Sequence, residues 1–222
     1  MSEKKLIITT AKRGKITPSQ KNILIDNEHL FNANDIQNFI QSLDFEKKIV
    51  CEIGFGNGDC LVEMARLHPE YSFFGIELYL PGIGAALIKI RDLGLKNVNV
   101  LNIDARLAWQ FIPDSGLDRL HILFSDPWPK KRNNKRRLIN SDMLLLWLKK
   151  IKVGGKIHIA TDDNSYQEFI FEQVYKLSDV SVEDVNQLSF MPNCIKRPVT
   201  KFELRGLQLG NRVKEWCLVK LR

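Results

Sequence analysis

The chain has 222 residues, with 33 Lys and Arg against 26 Asp and Glu and a formal charge of +7; this length suits one α/β domain with a sizeable core, and the basic excess fits a polyanionic partner without requiring one. No apolar stretch approaches the about 20 residues of a membrane helix, and the start (Met1-Ser-Glu-Lys-Lys-Leu) lacks a signal peptide's apolar core, so no membrane association is expected. Cys51, Cys60, Cys194 and Cys217 form no Cys-x-x-Cys pair and the four histidines are scattered, which predicts reduced thiols, a cytoplasmic location and no metal site.

Residues 1–30, with Lys12, Arg13, Lys15 and Lys21 around Gly14 and Pro18, read as a flexible basic arm, and 31–222 as one domain. Ile36, Phe39, Ile40 and Leu43 are at helical spacing. From residue 48 the pattern alternates. Strands are predicted at 48–53, 72–76, 98–103, 120–124 and 156–161. The helices between and after them are predicted at 61–67, from Pro81 to about Leu93, at 106–111, over Leu138 to Ile151 and at 166–177. Gly154-Gly155 reads as the stop of the fourth of these helices. Strand and helix repeated five times predict a Rossmann-like α/β fold, a mostly parallel sheet with helices on both faces. Residues 180–185 and 215–221 alternate and predict an antiparallel pair at the sheet edge.

The first strand runs into Glu52-Ile-Gly-Phe-Gly-Asn-Gly58, where glycines at 54, 56 and 58 allow a sharp turn and close approach to a ligand. The spacing is not the Gly-x-Gly-x-x-Gly of dinucleotide sites, which argues against a nicotinamide oxidoreductase. Acidic residues mark the first four strand ends: Glu52, Glu77, Asp104 and Asp126. In an open α/β sheet these ends share one crevice, where a carboxylate can accept both hydroxyls of a ribose. Each could instead cap a helix, Asp104 most readily. A crowd of carboxylates disfavours a pyrophosphate. It suits a cationic, phosphate-free nucleoside such as S-adenosylmethionine.

At the fourth strand end the chain reads Ser125-Asp-Pro-Trp-Pro-Lys-Lys-Arg132, and six of the 33 basic residues lie between Lys130 and Arg137. The prolines end the strand. A carboxylate beside an aromatic ring and a cationic loop suits chemistry on a planar group attached to a polyanion, with nucleic acid the natural candidate; a solvated basic turn is the plainer reading.

Glu52-Ile-Gly-Phe-Gly-Asn-Gly, Phe74-Gly-Ile-Glu77, Asp126-Pro-Trp-Pro-Lys-Lys-Arg132, Lys135-Arg-Arg-Leu138, Ala160-Thr-Asp162 and Thr200-Lys-Phe-Glu203 occur in that order. Together they resemble the bacterial tRNA (guanine-N7-)-methyltransferases, which methylate the variable-loop guanosine at position 46. The resemblance runs from about residue 48 to the C-terminus. It implies that Glu52, Gly54, Gly56, Glu77, Asp104 and Asp126 bind S-adenosylmethionine and that Asp126 is also the catalytic carboxylate. It further implies that Lys130, Asp162, Thr200, Lys201, Phe202 and Glu203 meet the substrate, and that Arg132, Asn133, Asn134, Lys135, Arg136 and Arg137 contact tRNA. Ser125, Asn133-Asn134 and Asp163 depart from the family's usual residues.

Other readings stay open at this point. Asp162 could be a helix N-cap, and Thr200 to Glu203 an edge-strand segment. Trp128 and Phe202 could stack on a base or belong to the core. A methyltransferase acting on another RNA base is a rival, although amino-group methyltransferases carry a second consecutive proline that Asp126-Pro-Trp lacks. A non-catalytic RNA-binding protein on the same fold is another. The sequence leaves the oligomeric state open between monomer and homodimer.

Overall fold

A computed structural model describes residues 14–183 and 198–222, except the side chains of Lys201 and Phe202. The strands are β1 (Leu30–Asn32), β2 (Lys48–Ile53), β3 (Tyr71–Ile76), β4 (Val98–Asn102), β5 (Leu117–Leu123), β6 (Ile151–Thr161), β7 (Val180–Glu183) and β8 (Lys214–Lys220). The helices are α1 (Pro18–Ile23), α2 (Ile36–Ser42), α3 (Asp59–Leu67), α4 (Leu80–Asp92), α5 (Ala105–Ala108), α6 (Ser141–Lys150), α7 (Asn164–Val174) and α8 (Lys201–Gln208). The strands form one sheet in the order β1-β4-β3-β2-β5-β6-β8-β7.

β1 to β6 are mutually parallel, β8 runs antiparallel to β6, and β7 antiparallel to β8. The expected mixed sheet is therefore present, with Val182 opposite Leu218 at its antiparallel edge. The chain moves outward from β2 through β3 to β4 and then returns to place β5 on the other side of β2. That reversal opens a crevice at the C-terminal ends of β2 and β5, where ligands bind in such sheets.

β2 and β3 are apolar runs because both their faces are covered. On one face Val50, Phe73, Val98 and Val100 pack under Leu61 and Met64 of α3 and Ile83 and Leu87 of α4. On the other, Ile49, Cys51, Phe74 and Ile122 pack against Phe39 of α2, Trp147 of α6 and Tyr166 of α7. Trp109 and Trp147 meet edge-to-face at 5.9 Å, as do Phe39 and Phe74 at 5.1 Å. The described cysteines, Cys51, Cys60 and Cys217, are buried and form no disulfide among the described residues, and burial pushes the Cys51 thiol well above its ordinary range.

Three expectations need correction, and one alternative reading is closed. The flexible arm gives way, within its described part, to α1: Thr17 and Gln20 close a reciprocal capping box, and Gln20 Nε2 donates to the Pro81 carbonyl of α4 at 3.0 Å. Lys12 and Arg13 lie outside the described residues. The helix expected over 106–111 is one turn, Ala105–Ala108. Gly154-Gly155 does not stop α6, which ends at Lys150; the glycines lie inside β6, beside a register shift against β5 between Leu117 and Arg119. Gly154 has φ +77°, as an irregularity in the ladder permits. Finally, Thr200 to Glu203 is not a strand: Thr200 caps α8 and Glu203 returns the capping-box contact.

Gly58 caps α3 at φ +72°, and a Cβ there would lie 2.6 Å from Cβ of Ala86 on α4. Both the left-handed backbone and the close approach require glycine. Gly58→Ala is expected to lower stability by about 1–3 kcal/mol in urea unfolding; an unchanged midpoint would show that the turn is not constrained in this way.

Candidate active site

The turn after β2 is held from β3. Gly54, Gly56 and Gly58 all have positive φ, at 69°, 56° and 72°. The Gly56 N–H donates to Glu77 Oε2 at 2.9 Å, while Glu77 Oε1 accepts from the backbone N–H groups of Leu78 at 2.7 Å and Tyr79 at 3.0 Å. Three otherwise orphaned amides thus converge on one carboxylate, which ties the glycine turn to the β3–α4 connection.

Gly54, Gly56, Glu77, Asp104 and Asp126 line one trough of about 670 Å³, within the range of small-molecule sites. Asp104 caps α5, its Oδ1 accepting from the Arg106 N–H at 2.8 Å. The second oxygen, Oδ2, is buried without a hydrogen-bond partner among the described residues. A buried acceptor of that kind is costly unless a ligand supplies a donor. Space is open where a Cβ of Gly54 would stand. Glu52, 3% exposed, lines not the trough but an adjoining chamber of about 230 Å³, with Asp59, Thr200 and Arg205. Gly54, Leu123 and Phe124 line both spaces. The expected crevice is therefore two connected compartments. Its walls are also less uniformly acidic than the strand ends suggested, because Arg106 and Arg136 join the trough.

Asp126 is exposed on a segment with unusual backbone: Phe124 and Trp128 have φ of 53° and 46°. The basic run that follows is a 3-10 helix, Lys131–Arg136, rather than an irregular loop. Lys130, Lys131, Arg132 and Lys135 are exposed, and Asn133 and Asn134 are half-buried. Arg136 lies over the Trp128 ring at 4.9 Å, so this ring already has a cationic partner. Arg137 departs from the sequence reading: it is 5% exposed, and its guanidinium donates to the Pro127 carbonyl at 2.8 Å and to Ser165 Oγ at 3.2 Å. The burial places it inside the fold, not on a surface for RNA.

The substrate-side residues are partly gathered. Asp163, not Asp162, caps α7, with Oδ1 accepting from the Tyr166 N–H at 2.8 Å. Asp162 instead faces α8: a Cβ on Gly206 would stand 2.4 Å from its Oδ2, which accepts from Asn211 Nδ2 at 3.1 Å. Thr200 reaches the smaller chamber. Lys130, Asp162 and Glu203 line neither space, and the side chains of Lys201 and Phe202 lie outside the described residues. Gly14, Tyr79, Arg106 and Leu138 line the trough and were not assigned to the site from the sequence. Their approach depends on tertiary packing, except for Arg106, which follows the Asp104 cap. Among the described residues no cluster could hold a metal ion and no helix is long and apolar enough to cross a membrane.

Comparison with known proteins agrees with this fold. A solved rRNA methylase from Streptococcus thermophilus superposes with a TM-score of 0.53 at 15% identity, covering 85% of this chain and 95% of its own, a likeness of fold. A family profile described as "Putative methyltransferase" matches residues 46–216. The profile makes the chain a methyltransferase and the sheet order is that of the class I fold, a class whose methyl donor is S-adenosylmethionine. The tRNA (guanine-N(7)-)-methyltransferase of Nitrosococcus oceani is 40% identical over 209 residues, covering 91% of this chain and 85% of its own. That of Yersinia pestis is 42% identical over 176 residues, covering 78% and 72%. The chain belongs to the tRNA (guanine-N7-)-methyltransferase family.

Removing the Glu77 carboxylate strands the amides of Gly56, Leu78 and Tyr79. Glu77→Ala is therefore expected to cost about 1–3 kcal/mol of folding stability in denaturant titration, even without ligand. A parent-like unfolding curve would mean that these contacts do not hold the turn.

Proposed function

We propose that this protein transfers a methyl group from S-adenosylmethionine to N7 of the guanosine at position 46 in the tRNA variable loop. The observation that carries the reading is the meeting of Glu77, Asp104 and Asp126 in one trough, with an exposed basic 3-10 helix following directly on Asp126. The names of the similar proteins support tRNA guanine as the substrate. The position within tRNA rests on the sequence resemblance. A soluble cytoplasmic enzyme suits such a substrate.

The trough fits the donor. Glu77 Oε2 accepts from the Gly56 N–H and retains acceptor capacity for a ribose hydroxyl, and Asp104 Oδ2 offers a buried acceptor to an adenine amine. When bound, S-adenosylmethionine supplies a methyl group on a positively charged sulfur. Guanine N7 carries a lone pair and no proton, so the protein needs no base to activate it. What the chain contributes is alignment and charge. Asp126 places a carboxylate at the trough, where it stabilises the positive charge that methylation leaves on guanine. It also offers an acceptor to the N1 and N2 donors that distinguish guanine from adenine. In this reading Glu52 and Thr200 shape the adjoining chamber, and Lys130, Asp162 and Glu203, which line neither space, meet the tRNA outside them.

Incubating the protein with unmodified tRNA and methyl-labelled S-adenosylmethionine, then mapping the labelled nucleotide, tests the proposal. Label at N7 of the variable-loop guanosine supports it, and label on another base or none refutes it. Asp126→Asn keeps the shape and removes the charge. It is expected to slow single-turnover transfer on the order of 100-fold, with tRNA affinity nearly unchanged. A parent-like rate would leave Asp126 with a structural role only.

The exposed cations are tested separately. Replacing Lys131, Arg132 and Lys135 together with alanine should flatten the slope of log affinity against log salt by about 2, as lost phosphate contacts require. An unchanged slope would place the RNA path elsewhere.

A further inference from the structure

Of the six basic residues between Lys130 and Arg137, Arg137 alone among them is buried, and its contacts point back at the segment that bears Asp126. Nε donates to the Pro127 carbonyl at 2.8 Å and Nη2 to Ser165 Oγ at 3.2 Å. The guanidinium plane also lies over two rings of α7, Phe169 at 4.8 Å and Tyr166 at 5.1 Å. The arginine's own backbone is fixed as well: its N–H donates to the Asn134 carbonyl at 2.9 Å, and its carbonyl accepts from Asn140 Nδ2 at 3.2 Å.

The segment it grips is one that would not hold its shape unaided. Phe124 and Trp128, at φ 53° and 46°, bracket Ser125, Asp126 and Pro127. Left-handed backbone at bulky residues persists only where surrounding contacts over-determine it. On the other side of Asp126, Ser125 Oγ lies 3.4 Å from the Tyr166 hydroxyl, which also accepts from the Ile139 N–H at 3.1 Å. Burial raises the Tyr166 phenol above its ordinary value, so it stays protonated. Arg137 and Tyr166 thus hold the residues immediately before and after Asp126.

We propose that Arg137 is a positioning residue for Asp126, acting through the Pro127 carbonyl and braced by Ser165, Tyr166 and Phe169. The proposal rests on the reading of Asp126 as the catalytic carboxylate. A phosphate-binding role needs only a positive charge, which lysine keeps. The positioning role needs a planar fork that donates from two nitrogens and packs against rings, which lysine lacks.

The test compares R137K, Y166F and D126N with the parent in single-turnover methyl transfer, together with S-adenosylmethionine and tRNA affinities and the salt slope of tRNA binding. R137K is expected to slow transfer on the order of 10- to 100-fold at saturating tRNA, with both affinities and the salt slope kept. Y166F is expected to shift the rate in the same direction by less. The double variant R137K/D126N should be no slower than D126N, because both changes disable one unit. A parent-like R137K rate beside a slow D126N overturns the Arg137 role alone. So does a rate loss that disappears at saturating tRNA, which reports weakened tRNA binding rather than a misplaced carboxylate. A parent-like D126N rate overturns the reading of Asp126, and the Arg137 role with it. If R137K does not give a cooperative melt, Y166F decides: slowed transfer with retained affinities supports the clamp, and a parent-like rate overturns it.

Discussion

The Glu77 carboxylate is the contact on which the rest of the site depends. A glycine turn with three left-handed residues has no reason to keep one shape, since glycine gives up more conformational freedom on ordering than any other residue. Glu77 supplies the reason by accepting from Gly56 on one oxygen and from Leu78 and Tyr79 on the other. These charge-assisted bonds join the end of β3 to the turn after β2. They fix the floor of the trough before any ligand arrives, so that binding need not also order it.

A second fixed point stands across the crevice. There the Asp126 segment leaves β5 through backbone that is strained at both ends. Its geometry is imposed from α7 and from the end of the basic run, through Tyr166 and Arg137. The charges divide accordingly: carboxylates mark the strand ends, Arg137 is internal, Arg136 covers Trp128, and Lys130, Lys131, Arg132 and Lys135 face solvent. A run of like charges is thus three things at once: structural brace, ring partner and surface for a polyanion. Only the last of these is screened by salt as exposed charges are.

The parallel core was legible because β2 and β3 are buried on both faces and therefore read as mainly apolar runs followed by glycine or acid. Glu77, Asp104, Asp126 and the glycines were legible for the same reason, since strand ends fix where they stand. What escaped was decided by contacts distant in sequence. β1 is three residues long and exists by pairing with β4. Nothing local shows that one arginine of six turns inward, that Ser125 meets Tyr166, or that Asp163 rather than Asp162 takes the α7 cap. The separation of Glu52 into its own chamber likewise depends on α8 closing over it through Thr200 and Arg205. α8 itself was a missed local signal, because Thr200-Lys-Phe-Glu203 has the spacing of a capping box.

The central claim is that the trough is already built in the free protein, by backbone amides gathered on Glu77. Amide hydrogen exchange at Gly56, Leu78 and Tyr79, followed by NMR with and without S-adenosylmethionine, measures this directly. The account predicts that all three are strongly protected in the free protein and change little when ligand is added. Rapid exchange in the free protein, slowing only on addition of S-adenosylmethionine, would contradict it and make the ligand, not Glu77, the organiser of the site.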